Sequence, residues 1–201
     1  MTEIHLLLAA AGGSQRMGTP KQLLAWGEDI LIQHQIKTLQ MVKKPITVVL
    51  GASSNEIKKQ IEKLSIDIVV HNEWEKGMGA SIAYGVKSIM EQNINCKGVL
   101  ICLVDQPLIT SVHYENLLLA FQVGQEPIIV SQSQQGIWSA PVLFDKFYFK
   151  DLINLKGEIG AKKVVMSHSK KVHLVTCETS LEDIDTPEAY REMLAKTKLK
   201  S

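Results

Sequence analysis

Three apolar runs constrain this chain more than any other feature: "IHLLLAA" at 4–10, "PITVVLG" at 45–51 and "GVLICLVD" at 98–105. Each is too nearly continuous to turn one face to water. Such runs belong to strands covered on both faces. Four further β-rich runs are "IDIVVHN" at 66–72, "EPIIVSQ" at 126–132, "APVLF" at 140–144 and "VHLVTCE" at 172–178. Helical patterns lie between them. "SSNEIKKQIEKL" opens with a capping box, Ser53 to Glu56, and sets Ile57, Ile61 and Leu64 on one face. "GASIAYGVKSIMEQ" and "SVHYENLLLAFQ" read the same way, and "TPEAYREMLAKTK" carries Thr186 as N-cap with Pro187 at the first helical position.

This alternation predicts an α/β chain with a mostly parallel sheet and helices on both faces. Ligands of such sheets bind beyond the carboxyl ends of the strands. The loops after "LLLAA", "VVLG", "IVVHN" and "ICLVD" are therefore the ones that matter. A length of 201 residues suits a single domain over 1–201 with a proper core. A formal charge of +1 argues against nucleic acid or an anionic membrane as the main partner. No apolar stretch approaches the ~20 residues that span a bilayer. Cys96, Cys102 and Cys177 form no CxxC pair, and Cys102 lies inside an apolar run, so all three read as structural thiols. Their odd number and the lack of a signal-peptide opening point to a reducing cytoplasm.

The first of those loops is "AAAGGSQRMGTPK", residues 9–21. Gly12 and Gly13 let backbone amides turn toward an anion, Ser14 adds a hydroxyl, and Arg16 and Lys21 supply fixed positive charge. The loop follows neither GxxxxGK[ST] nor GxGxxG, yet its logic is that of a polyphosphate cradle. Asp105 follows a buried strand directly, which places its carboxylate at the carboxyl edge of the sheet beside that cradle. A hard divalent cation there would bridge it to a nucleotide's phosphates. Asp183 and Asp185 precede the last helix, where acidic groups also simply suit the helix dipole. "WEKGMGAS", 74–81, is a second glycine loop. Gly77 and Gly79 allow approach of a nucleobase or merely start a helix, Ser81 touches a ligand or caps, and Trp74 plugs the core or stacks. The six histidines show no metal-ligand spacing.

The order of residues in "AAGGSQRMGTPKQLLAWG" resembles the LAAGxSxRMGxPKxLLxxG signature of the molybdenum-cofactor nucleotidyltransferases, with Ala9 in place of leucine. "NEWEKGMGASI", "LVDQPLIT" and "DIDTPEAY" are similar to further motifs of that family, so the resemblance covers nearly the whole chain. It implies a three-layer, Rossmann-like fold of the nucleotide-diphospho-sugar transferase type with a mostly parallel, mixed central sheet. It also implies magnesium-dependent transfer of a nucleotide from an NTP, with release of pyrophosphate. The cytidylyl-transferring branch, which acts on molybdopterin, is the best match, because Ala10-Ala11-Gly12 follows its LAAG-like form.

On this resemblance Arg16, Lys21 and Asp105 are catalytic. Ala10, Ala11, Gly12, Gly13, Ser14, Arg16, Lys21, Gly77, Gly79 and Ser81 bind nucleotide. Asp105 and Asp185 hold Mg2+, and Gln106, Ser139 and Lys162 face the acceptor. The N-terminal half would bind NTP and residues of about 130–170 the acceptor, with a molybdoenzyme as a possible client. The acceptor half departs from the family: Ser139 replaces a glycine in "GIWSAPVLF", Ala140 stands at a commonly polar position, and Glu158 and Lys162 replace aspartate and arginine in "GEIGAKK". An acceptor that is a sugar phosphate or another phosphorylated metabolite, and a non-catalytic accessory that only binds nucleotide or cofactor, are the alternatives. An acceptor phosphate is already ionised near neutral pH, so no general base is required.

Overall fold

The computed structural model describes residues 4–14, 17–122 and 125–198. In chain order the first half runs β1 (Ile4–Ala10), β2 (Ala25–Trp26), β3 (Asp29–Ile30), α1 (Leu31–Gln40), β4 (Ile46–Leu50), α2 (Ser54–Ile61), β5 (Asp67–Val70) and α3 (Met78–Gln92). The second half runs β6 (Gly98–Leu103), α4 (Ser111–Leu119), β7 (Ile128–Gln132), β8 (Trp138–Asp145), α5 (Phe149–Ile153), α6 (Lys162–Ser167), β9 (Val172–Thr176) and α7 (Pro187–Lys198).

Seven strands form one sheet in the order β5-β4-β1-β6-β8-β7-β9, and β2 and β3 form a separate hairpin. Strands β5, β4, β1 and β6 run parallel, β7 and β9 pair in parallel, and β8 is antiparallel to both of its neighbours. One reversed strand among seven makes the sheet mostly parallel but mixed. The three continuous apolar runs are its centre: every residue of β4 is buried, as are Leu6, Leu7 and Leu8 of β1 and Val99 to Cys102 of β6. Their side chains alternate between two cores. Leu6, Leu8, Val48 and Leu100 face α1 and α4, while Leu7, Val49, Val99 and Ile101 face α3 and α5. Helix α3 lies so close that a Cβ on Gly85 would come within 2.6 Å of Leu7 and 2.5 Å of Val49.

The chain leaves β1 toward β4 on one side and later returns to β6 on the other. The carboxyl ends of β1 and β6 therefore flank the topological switch point, the crevice in which open α/β sheets bind ligands. Their pairing ends at Ala9 opposite Leu103, which brings residues 10–14 alongside residues 104–106.

One expectation needs correction. Ser53 is the N-cap of α2 but sits in the left-handed region at φ 54°, and its side chain makes no capping bond. The loop before it is pinned instead by Ala52 N–H donating to Ala11 O at 3.1 Å, so loop packing sets the entry to α2 and no capping box forms. The N-cap of α4 is Thr110, with no side-chain cap bond.

Buried His113 on α4 fastens the reversed strand. Its Nε2–H donates to Ser131 Oγ at 2.8 Å, and that hydroxyl donates to Pro141 O at 2.7 Å. Burial lowers the His113 pKa to about 4, and burial also lowers those of His5, His34 and His71. The unfolded chain thus takes up protons first as pH falls. His113's contribution is complete above the unfolded value of 6.5 and is lost progressively as pH drops toward 4, on the order of 3 kcal/mol across that window. Melting temperature is expected to be level from pH 8 to 7 and to fall below pH 6.5. His113→Gln should make the fall shallower; an unchanged slope would remove His113 from this account.

Candidate active site

Residues Ala10 and Ala11 are buried, whereas Gly12 and Gly13 are exposed. A buried amide holds this loop in shape: Gln22 Nε2 donates to Ala10 O at 2.7 Å and to Gly12 O at 3.1 Å. Those carbonyls are thereby occupied and do not oppose an incoming anion. Ser14 closes the turn at φ 51°, its Oγ accepting from Lys21 N–H at 2.9 Å and its carbonyl from Met17 N–H at 2.9 Å. A Cβ on Gly12 would meet nothing within 4 Å, so the protein itself does not require glycine there and the space above is open. Gly13 differs, because a Cβ would come within 3.0 Å of the Trp74 ring. Trp74 also packs tightly on Gly51, which makes it a prop beneath the loop. Arg16 lies outside the described residues.

Lys21 is the centre of the site. Its Nζ donates to Asp105 Oδ2 at 3.0 Å and to Asp185 Oδ1 at 2.8 Å. Asp105 is carried past the end of β6, where Val104 N–H donates to Ala9 O at 3.2 Å. Asp185 arrives from the far end of the chain because Ile184 N–H donates to Asp105 O at 2.8 Å. Thr186 Oγ1 accepts from Ala189 N–H at 3.2 Å and so caps α7, which leaves Asp185 free of that task. Burial disfavours the charged form of Lys21, but the two carboxylates outweigh it and its pKa lies above the ordinary lysine value. Burial raises neighbouring Asp183 to about 6 although much of its side-chain surface is accessible, and the Asp105 and Asp185 charges add to the rise.

These groups line a cleft of about 700 Å3 that also includes Trp74, Glu75, Gly77, Met78, Ser81 and Glu158. Ala10, Ala11, Gly12, Gly13, Ser14, Lys21, Gly77, Ser81, Asp105 and Asp185 are thus brought together, and the N-terminus of α3 faces the same space. Gly79 is not on its surface. The room that Gly77 and Gly79 leave is taken by the loop at 156–158: Gly79 N–H donates to Gly157 O at 2.8 Å, Gly157 N–H to Lys76 O at 3.2 Å, and a Cβ on Gly77 would lie 2.5 Å from the Gly157 carbonyl carbon. Buried Ser81 pairs with His71 Nδ1 at 3.2 Å. Ser139 and Lys162 line a second cavity of about 260 Å3 that shares Met78 and Leu103 with the cleft. Gln106 lies behind it, fully buried, its Nε2 donating to Ser139 Oγ at 3.1 Å and Leu181 O at 2.9 Å.

Sequence reasoning passed over Gln22 and Glu158 as site residues. Gln22 stands at an unspecified position of the PKxLL pattern, and its burial beneath Lys21 is visible only in three dimensions.

Two carboxylate oxygens reaching one ammonium show that Asp105 and Asp185 can share a cation, and both are hard oxygen donors suited to Mg2+ or Mn2+. Among the described residues no three His, Cys, Asp or Glu side chains form a ligand group. A metal on two carboxylates keeps its remaining positions for phosphate and water, which is the usual arrangement at nucleotide sites.

A mostly parallel sheet with a glycine loop and paired carboxylates at its switch point is an arrangement suited to holding a nucleotide. Residues 6–172 match the MobA-like NTP transferase domain, and the chain belongs to that family. It is 26% identical to nicotine blue oxidoreductase of Paenarthrobacter nicotinovorans, over 94% of this chain and 95% of that protein. It is 24% identical to the molybdenum cofactor cytidylyltransferase of Escherichia coli K12, again over 94% and 95%. The crystal structure of Rv0371c from Mycobacterium tuberculosis H37Rv superposes with a TM-score of 0.86 at 25% identity, covering 96% of this chain and 98% of that one. A manganese complex of the same mycobacterial protein superposes at 0.81 with 22% identity, over 96% and 99%. The expected family and Rossmann-like transferase fold are both borne out.

If the carboxylates share one cation position, Lys21 competes with metal for it. Lys21→Met is expected to bind Mn2+ without nucleotide about tenfold more tightly than the wild type, read from the EPR signal of free Mn2+. Equal affinities would show that the two aspartates do not form a common site.

Proposed function

We propose that the protein transfers CMP from CTP to the phosphate of molybdopterin cofactor and releases pyrophosphate, with Mg2+ as the metal. The observation that carries this reading is the convergence of Asp105 and Asp185 on the Lys21 ammonium beside the open Gly12 turn. The N-terminal half forms the nucleotide wall and residues of about 130–170 the acceptor wall.

Charge supports a need for metal. Among the described residues the cleft carries one lysine, Lys21, against four carboxylates, Glu75, Asp105, Glu158 and Asp185. A triphosphate adds further negative charge, so nucleotide and divalent cation enter most favourably together. When bound, Mg2+ on Asp105 and Asp185 neutralises the triphosphate and stabilises charge on the leaving pyrophosphate. The chain's own groups do the rest. Loop amides at Gly12 and Gly13 receive phosphate oxygens, with the α3 N-terminus adding favourable potential. Lys21 donates to the reacting phosphates, and Arg16, five residues earlier, supplies a second cation. The acceptor phosphate oxygen forms a bond to the α-phosphorus as the α–β phosphoanhydride bond breaks, and no proton needs to move. Catalysis is in-line positioning plus charge stabilisation.

The choice of CTP rests on Ala10-Ala11-Gly12. Ala11 lines the cleft, but most of its methyl is packed in the core, so discrimination against a purine is expected to be modest, about 1–3 kcal/mol. The proposed setting is the cytoplasm, where the buried cysteines stay reduced, and a molybdoenzyme would receive the product.

The test is pyrophosphate release from CTP, GTP, ATP and UTP with magnesium, with and without molybdopterin. CTP-selective release only with molybdopterin is expected. Release with a sugar phosphate would transfer the reaction to that acceptor class. Nucleotide binding without turnover would indicate an accessory, and redox turnover without pyrophosphate an activity like that named for the Paenarthrobacter relative. Asp105→Ala and Lys21→Ala should fold and lose about a hundredfold or more in turnover; near-normal turnover in either would refute its role.

A further inference from the structure

Strand β9 forms one edge of the sheet and lacks the devices that normally keep an edge from pairing. No described strand lies beyond it. Its sequence, "VHLVT", contains no proline and no Asp, Glu, Lys or Arg, and His173, Leu174 and Thr176 are exposed. The opposite edge is better protected, because β5 is four residues long and begins at exposed Asp67. Cys177 N–H donates to Gln132 O at 2.8 Å, which fixes the phase of the β7–β9 ladder. Backbone groups of His173, Val175 and Cys177 therefore face β7, and those of Val172, Leu174 and Thr176 face away from the sheet. The Val172 N–H is already taken by Ser169 O in the turn at Ser169–Lys171. The outward row that remains comprises the Val172 C=O and the N–H and C=O groups of Leu174 and Thr176.

We propose that β9 pairs antiparallel with β9 of a second copy of this chain, about a two-fold axis at Leu174. Each Leu174 N–H then donates to the partner's Leu174 O, and each Thr176 N–H to the partner's Val172 O. The two Leu174 side chains, each 42% exposed in the single chain, meet across the axis. Charge selects this register. Lys171 is held by Glu126 at 3.4 Å, whereas Lys170 and Glu178 are exposed and form no ion pair among the described residues. With the axis at Leu174, Lys170 lies opposite the partner's Glu178. An axis at His173 would set Lys170 opposite the partner's Thr176, and one at Val175 opposite the partner's Ser180. Only the Leu174 register brings unlike charges together, and symmetry does so twice. A foreign strand would supply hydrogen bonds but not this reciprocal match. One sheet then runs through both copies. The two-fold axis reverses the strands, so the two clefts open in opposite directions and neither blocks the other.

The experiment is sedimentation equilibrium of the full chain at concentrations up to about 100 μM, with no ligand present. Twice the chain mass is expected, with the Leu174 and Thr176 amides exchanging more slowly at high concentration than at low. Leu174→Lys and Lys170→Glu alter exposed side chains and leave the β7–β9 ladder in place. Leu174→Lys sets two ammonium groups at the axis and should leave a monomer. Lys170→Glu should weaken the dimer about tenfold, and adding Glu178→Lys should restore it. A monomeric wild type, a dimer that survives Leu174→Lys, or a Lys170→Glu chain that either is not weakened or is not rescued by Glu178→Lys would each overturn the proposal.

Discussion

One ammonium joined to two carboxylates organises the functional end of this molecule. Lys21 follows the first strand, Asp105 the sixth, and Asp185 precedes the last helix, so the contact closes loops of 84 and 164 residues. Sheet topology makes it possible. Because β1 and β6 are neighbours and both end at the switch point, the glycine turn and Asp105 emerge side by side, and the backbone bond from Ile184 to Asp105 brings Asp185 to them. A partly buried cation between two anions is also the arrangement that the proposed metal site requires. Two carboxylate oxygens are already converged, and the positive charge between them is held on a flexible stem.

Three buried glutamines frame that arrangement. Gln22 ties the glycine turn to the chain beneath it, Gln35 donates to Leu103 O at 3.1 Å and Val104 O at 3.4 Å behind Asp105, and Gln106 ties Ser139 to the segment that leads to Asp185. Each amide donates to carbonyls at strand ends or in loops and so holds those segments in place. The loops at the switch point are thus fixed from below, leaving their upper surface to a ligand.

Much of this was legible in the amino-acid order. Strands β1, β4 and β6 announce themselves through runs with no wettable face, and an aspartate directly after such a run has nowhere to go but the sheet edge. Less could be read where polar residues are buried. Helix α1 contains Gln35, fully buried, and such a residue breaks the apolar period that would mark the inner face. The reversal of β8 leaves no trace in its sequence, since an apolar strand reads alike in either direction. Gly77 and Gly79 read alike on paper, yet Gly77 lines the cleft and Gly79 does not, because the 156–158 loop packs against both. The apolar second cavity is assembled from α3, β6, β7, β8 and α6, elements whose proximity no local pattern encodes.

The central claim is that Asp105 and Asp185 hold one metal ion against a triphosphate lying on the Gly12 turn. Anomalous scattering from a crystal grown with Mn2+ and a non-hydrolysable CTP analogue addresses it directly. A single manganese peak within coordination distance of both carboxylates and a phosphate oxygen, with the Lys21 ammonium moved onto phosphate, is the predicted result. A manganese bound away from Asp105, or a nucleotide whose phosphates lie elsewhere than the turn at 12–14, would contradict the account.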